Sequence, residues 1–211
     1  MDGFKNLLGI ADKLLGPEGC PWDREQTFFT LQPYLLEETH ELIEAIDSLD
    51  GKKISEELGD VLYALIFVAK LGERDGRFTL ASAIQTVCDK LIRRHPHVFG
   101  NLKAENSEEI IQNWEAIKKS EFKDRKSALD GIPPTLPALA RAQKIIQKIS
   151  RKQKKKIESS IKTEEELGDK LWEILETAHS KGWSGEDLLR RTAARHEAEF
   201  REWEKTPEMD S

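Results

Sequence analysis

Residues 35–45 read LLEETHELIEA and residues 55–60 read SEELGD. Together they spell EExxE, a spacer and ExxD, and where their carboxylates fall on a helix decides the fold. At about 100° per residue, the apolar stripe of the first stretch and its flanks contains Leu31, Leu35, Leu42, Ala45, Ile46 and Leu49, and Glu38 projects inside that stripe. Glu41 lies at its edge beside Tyr34, whereas Glu37 and Glu44 fall further round towards solvent. On the second stretch Glu57 projects between Ala64 and Val68, with Asp60 at the edge of the same stripe. Glutamate is common on helix surfaces, and one EExxE in a charged chain means little. Carboxylates set inside two apolar stripes are a different matter, because a solvated face would not place them there.

Register adds a second constraint. Two helices running antiparallel about Asp50-Gly51 bring Glu41 opposite Glu57 and Glu38 opposite Asp60, both pairs being centred on position 49. Four carboxylates converging between helices repel one another and are costly to desolvate unless cations neutralise them. A metal site is the economical explanation. All-oxygen ligands select hard cations, and a small carboxylate set that leaves room for water and phosphate oxygens suits Mg²⁺, with Mn²⁺ as a substitute. Magnesium in turn suggests a phosphorylated substrate.

Outward from this hairpin the apolar spacing is helical almost everywhere, and no stretch alternates as a strand would. An all-α helical bundle is predicted. A first helix covers about Phe4–Leu15 and stops at Gly16-Pro17. In GCPWDREQ, Asp23 is placed to cap a short helix, with Gln26 in the capping-box position. Pro33 suits the start of the helix that runs to about Leu49. A third helix runs to about Gly72, a fourth over Thr79–Arg94 ends at Pro96, and a fifth spans Ser107–Phe122. Residues 123–137, KDRKSALDGIPPTLP, read as a linker. Beyond it come a helix from Ala138 that turns very basic (RKQKKK, 151–156), then Glu164–Lys181 and Gly185–Trp203. The phrase SEELGDVLYAL (55–65) returns as EEELGDKLWEI (164–174), so a duplicated unit is expected, with residues 1–122 as the first copy, 138–205 as a shortened second copy and 206–211 as a tail.

Composition narrows the function classes. The chain has 211 residues, 34% of them charged, and a formal charge of −6. No apolar run approaches the roughly 20 residues of a membrane span, and the N-terminus lacks the pattern of a signal peptide. A soluble cytoplasmic protein is expected. Cys20 and Cys88 make neither a disulfide framework nor a zinc site. The acidic balance argues against a duplex-DNA binder, and RKQKKK reads as a solvated helix face, so nucleic acid is not an expected partner.

GCPWD (19–23), QTF (26–28), LLEETHEL (35–42), EELGDVL (56–62) and KLIRRHPHVFG (90–100) resemble the motifs of the MazG family of all-α nucleoside triphosphate pyrophosphohydrolases, in the same order and spacing. The resemblance covers residues 1 to about 122 closely. It implies a helical bundle that dimerises and hydrolyses an NTP or dNTP to the monophosphate and pyrophosphate. It places metal ligands on Glu38, Glu41, Glu57 and Asp60, with Glu37 or Glu41 able to accept a proton from water. Lys90, Arg93 and Arg94, at i, i+3 and i+4 on one helix face, are the expected phosphate clamp; a favourable helix dipole alone would also explain them. Trp22 and Phe28 are read either as the wall of a base pocket or as aromatics capping the bundle. His95 and His97 are read as structural.

LPALARAQKIIQKIS and ELGDKLWEIL resemble the family's second repeat, but the ligand set is incomplete there. The residues 16 and 19 before Glu166 are Ser150 and Gln147, so Glu166 and Asp169 have no partner carboxylates. Arg195 stands where the clamp lysine is expected, and Ala198-Glu199 replace the paired arginines. The second copy is expected to be catalytically dead. The competing function class is a nucleotide-sensing or protein-binding module with little or no hydrolysis.

Overall fold

The computed structural model describes all residues except 1, 103–105, 107–108, 111–112, 115, 118–120, 122–124, 155 and 207–211. The described elements are α-helices: α1 (Asp2–Leu15), α2 (Pro21–Glu25), α3 (Leu31–Ser48), α4 (Gly51–Arg74), α5 (Leu80–Arg94), α6 (Pro96–Phe99), α7 (Ala138–Gln153), α8 (Glu164–Ser180) and α9 (Gly185–Trp203). No strand occurs among the described residues, as the periodicity predicts. The chain divides into two compact units, Met1–Lys118 and Lys119–Ser211. The helix expected over Ser107–Phe122 lies largely outside the described residues.

The first unit is organised by the α3–α4 hairpin. Leu49 ends α3 in the left-handed region at φ 55°. Asp50 then caps α4, its Oδ1 accepting the backbone N–H of Lys52 at 2.9 Å and of Lys53 at 3.4 Å. Helix α3 begins two residues before Pro33. Thr27 and Thr30 set its start by exchanging hydrogen bonds between backbone N–H and side-chain oxygen at 2.8 and 3.2 Å. Pro33 falls within the first turn, where a missing N–H costs nothing.

Helix α2 differs from the sequence expectation. It starts at Pro21, so Asp23 lies inside it and does not cap it; Gln26 is not a capping-box partner but donates from Nε2 to the Trp22 carbonyl at 2.9 Å. The far end of α2 is held by α4, because Arg74 donates to the carbonyls of Arg24 (3.2 Å) and Gln26 (3.1 Å). Leu31, Phe67 and Leu71 form the buried core, flanked by Leu15, Phe28 and Val68. Lys70 ties α4 to α1 through Asp12 at 2.7 Å. A side chain at Gly72 would meet the Phe78 ring at 2.6 Å, so glycine is what lets that ring lie against α4.

The second unit packs α7 against α9. Its core is Leu129, Ala142, Ile145, Ala193 and Phe200. Leu129 belongs to the stretch expected to be a linker. Leu129, at 1% exposure, is part of this core, so the stretch is packed against the second unit at that point. Charged groups fasten it. Arg201 reaches Asp130 at 2.7 Å and Glu197 at 2.8 Å, and Arg141 pairs with Glu197 from the other side. Asp130 also accepts the backbone N–H of Lys126 and Ser127. The Arg201 guanidinium, with these amides, holds the Asp130 carboxyl below its ordinary range. A depressed carboxylate contributes stability that is fully present above its ordinary titration range and is lost as pH falls below that range through the lowered folded value. Arg201→Ala is therefore expected to cost about 1–3 kcal/mol at neutral pH, a difference that shrinks towards pH 3 in urea unfolding of the two proteins; an equal loss at both pH values would remove Asp130 from the account.

Candidate metal centre

Helices α3 and α4 bring three carboxylates together. Oxygens of Glu38, Glu41 and Glu57 all lie within 4.8 Å of one another. Glu38 is the inner member, only 8% exposed, while Glu41 one turn on is exposed and Glu57 half-buried. The i, i+3 spacing puts Glu38 and Glu41 on one face of α3, and the short Leu49-Asp50 turn sets the register that carries Glu57 across to them.

Burial pushes the Glu38 carboxyl above its ordinary range, and the charges of Asp60, Glu41 and Glu37 add to the rise, while a hydrogen bond from Tyr34 opposes it. Burial likewise raises Glu57, helped by the charges of Glu41, Asp60, Glu56 and Glu38. Tyr34 is pushed up to about 12, first by burial and then by its hydrogen bond and proximity to Glu38. The charges that act most strongly on Glu38 and Glu57 are thus all negative. Hard oxygen donors, converging and mutually repelling, fit a divalent cation that neutralises them.

The other expected residues are distributed as follows. Asp60 is exposed and outside the group of three, though its charge acts on both Glu38 and Glu57. Glu37 is exposed. Lys90, Arg93 and Arg94 lie on α5, which has no buried residue; the Arg94 guanidinium sits 5.7 Å from the Trp114 ring centre. Trp22 is 59% exposed. Phe28 is not an open wall: it packs on the core, 6.3 Å from Phe78 between ring centres, with Arg77 over its ring at 5.5 Å.

One participant and one buried acid near it in sequence escaped the sequence reading. Tyr34 appeared there only as a neighbour of Glu41, although its i, i+4 spacing to Glu38 is the signal that finds the hydrogen bond. Asp23 is buried, and its charge adds to the burial that raises the titration of Tyr63 in α4. The role of a helix cap had hidden it.

Comparison with known proteins gives this geometry a context. The MazG nucleotide pyrophosphohydrolase domain matches residues 26–99, the span that holds all three clustered carboxylates. A nucleoside triphosphate pyrophosphohydrolase of Escherichia coli (strain K12) is 39% identical over 97% of this chain and 88% of its own length. The chain belongs to the MazG nucleotide pyrophosphohydrolase family. A second MazG relative, the nucleoside triphosphate pyrophosphohydrolase/pyrophosphatase of Thermotoga maritima, is 37% identical over 98% of this chain and 88% of its own. The crystal structure of a MazG-related protein from Thermotoga maritima is 36% identical, covers 55% of this chain and 98% of its own, and superposes with a TM-score of 0.49. MazG pyrophosphohydrolases depend on a metal, and the Glu38, Glu41 and Glu57 cluster is suited to bind one. No helix among the described residues is long and apolar enough to cross a membrane.

Proposed function

We propose that this chain is a Mg²⁺-dependent nucleoside triphosphate pyrophosphohydrolase that converts (d)NTP to (d)NMP and pyrophosphate through its first unit. The observation that carries the proposal is the convergence of Glu38, Glu41 and Glu57, with negative charges acting on Glu38 and Glu57, in a chain of the MazG family. Glu38, Glu41, Glu57 and Asp60 would hold Mg²⁺ or Mn²⁺, which would neutralise phosphate oxygens and acidify a bound water. Glu41, the exposed member of the cluster, or Glu37 would accept that water's proton. Lys90, Arg93 and Arg94 offer charge to phosphate oxygens, and Trp22 offers an exposed ring for stacking on a base. The expected setting is a cytoplasmic homodimer that clears the nucleotide pool of unwanted triphosphates.

Incubating the chain with a panel of ordinary and damaged (d)NTPs and Mg²⁺ is expected to release pyrophosphate and the matching monophosphate. If neither Mg²⁺ nor Mn²⁺ supports pyrophosphate release from any of them, the proposal fails. Tight metal-dependent nucleotide binding without turnover would point to a sensor instead. Tyr34 supplies a finer check. Its hydrogen bond favours the charged form of Glu38, so Tyr34→Phe is expected to weaken Mn²⁺ binding about 10-fold, most at mildly acidic pH, in a calorimetric titration. An unchanged affinity across pH would detach Tyr34 from the site.

A further inference from the structure

Helix α5 has no buried residue, yet the expected phosphate clamp, Lys90, Arg93 and Arg94, stands at its far end. The direction of that helix therefore depends on its junction with α4. Helix α4 closes on Gly76, at φ 64°, where the N–H groups of Gly76 and Arg77 return to the carbonyls of Glu73 (3.1 Å) and Gly72 (2.9 Å), a Schellman ending. Helix α5 opens with a capping box between Thr79 and Ser82. Each of these ends is closed on itself. The α4 side chain that reaches across is Glu73: its Oε1 accepts the backbone N–H of Leu80, the first residue of α5, at 3.1 Å, and its Oε2 accepts from Lys70 Nζ at 3.0 Å. Lys70 in turn reaches Asp12 of α1 at 2.7 Å. The Leu80 N–H is one of the four that a helix start leaves without an internal partner. It is also the first reason that the Glu73 carboxyl titrates below its ordinary range, ahead of Lys70.

We propose that Glu73 is a positioning residue for the phosphate clamp: by tying the Leu80 N–H to Lys70 and Asp12, it aims α5, and with it Lys90, Arg93 and Arg94, at a triphosphate held by the carboxylate centre. The lever is long. Arg94 ends α5, about 21 Å from Leu80 at 1.5 Å per residue, so a tilt of about 5° at the first turn moves it by about 2 Å. A misplacement of about 1 Å is already costly to a substrate-positioning group. Glu73 acts through the helix and not by contact, because a carboxylate repels phosphate. The proposal rests on the pyrophosphohydrolase reading and on the phosphate role it gives that row.

Calorimetric titration of the full chain at saturating Mn²⁺ tests it, with a dNTP analogue whose α,β bridge resists hydrolysis. E73A is expected to bind the analogue about 10-fold more weakly, while Mn²⁺ alone binds as it does to the unaltered chain. Glutamine keeps an acceptor oxygen for Leu80, so E73Q should restore the analogue's affinity. L80P removes the N–H itself, at a first helical position that suits proline and after a Thr79 that is already extended (φ −117°, ψ 157°). It should match E73A, and it decides alone if E73A loses helix content by circular dichroism. R93A/R94A should weaken binding too, and E73A added to that pair should cost little more, because residues acting through one another are not additive. Unchanged analogue affinity in E73A and L80P overturns the proposal. So does an E73Q as weak as E73A, a fully additive loss in the triple variant, or an E73A that loses Mn²⁺ affinity as much as analogue affinity. Normal analogue binding by R93A/R94A overturns the clamp and this proposal together. An unaltered chain that binds no analogue with Mn²⁺ overturns the pyrophosphohydrolase reading as well.

Discussion

Glu38→Gln is expected to lower pyrophosphate release about 10³-fold while making the metal-free chain more stable at neutral pH. The loss follows from the position of Glu38 as the buried member of the carboxylate group: a metal centre supplies several kcal/mol to the reaction, and each 1.36 kcal/mol is about tenfold in rate. The gain follows from the raised titration of that carboxyl. A carboxyl whose folded value lies above its unfolded value favours folding below about pH 4, the ordinary Glu range, and loses that contribution as pH rises through the folded value. Glutamine never acquires the charge. The variant's advantage in urea unfolding with EDTA present should therefore be largest near pH 7 and vanish near pH 4. Saturating Mn²⁺ should reverse the order, because only the unaltered chain gains from the ion. A variant less stable at every pH without metal would show that burial and the neighbouring charges do not set the cost of the Glu38 carboxylate.

Phe67→Ala is the second large effect, expected to cost the first unit about 3–5 kcal/mol. Phe67 is 1% exposed and is the largest of the three buried side chains in that core cluster. A domain holds about 5–15 kcal/mol in all, so the variant should bring the first unit close to its unfolding threshold at room temperature. The cavity would open beneath Phe28, Val68 and Leu15, which pack on the cluster, and would loosen the α4 register that carries Glu57. Thermal unfolding and Mn²⁺ titration should both register it. A change below about 1 kcal/mol would mean that the cluster does not hold the hairpin.

The hairpin and its carboxylate-bearing side were legible because periodicity and register are local. Glu38 and Glu57 are fixed by angles around single helices and by one short turn, which the sequence states directly. Asp60 satisfied the same arithmetic yet stands exposed beside the group of three, since a wheel gives direction but not depth. The misreadings have a common physical origin in tertiary contacts. Asp23 looked like a cap because caps are local, whereas its burial depends on residues far along the chain. Leu129 looked like linker because Pro and Gly surround it, yet α7 and α9 leave a space that it fills. Phe28 was readable only as an aromatic near the hairpin, and its packing depends on the positions of Phe67, Leu71 and Phe78. Tyr34 could have been found from spacing alone.

The tight Leu49-Asp50 turn also bears on how the chain folds in time. Helices joined by so short a connection meet early, because little loop entropy opposes them and local contacts dominate fast folding. Glu38, Glu41 and Glu57 would therefore confront one another on the way to the native state and not only within it. At neutral pH their repulsion should act as a brake on the folding rate of the first unit, and a divalent cation present during refolding should release it. Stopped-flow refolding with and without Mn²⁺ would register that acceleration in the folding limb rather than the unfolding limb, making the ion a folding aid before it has any part in turnover.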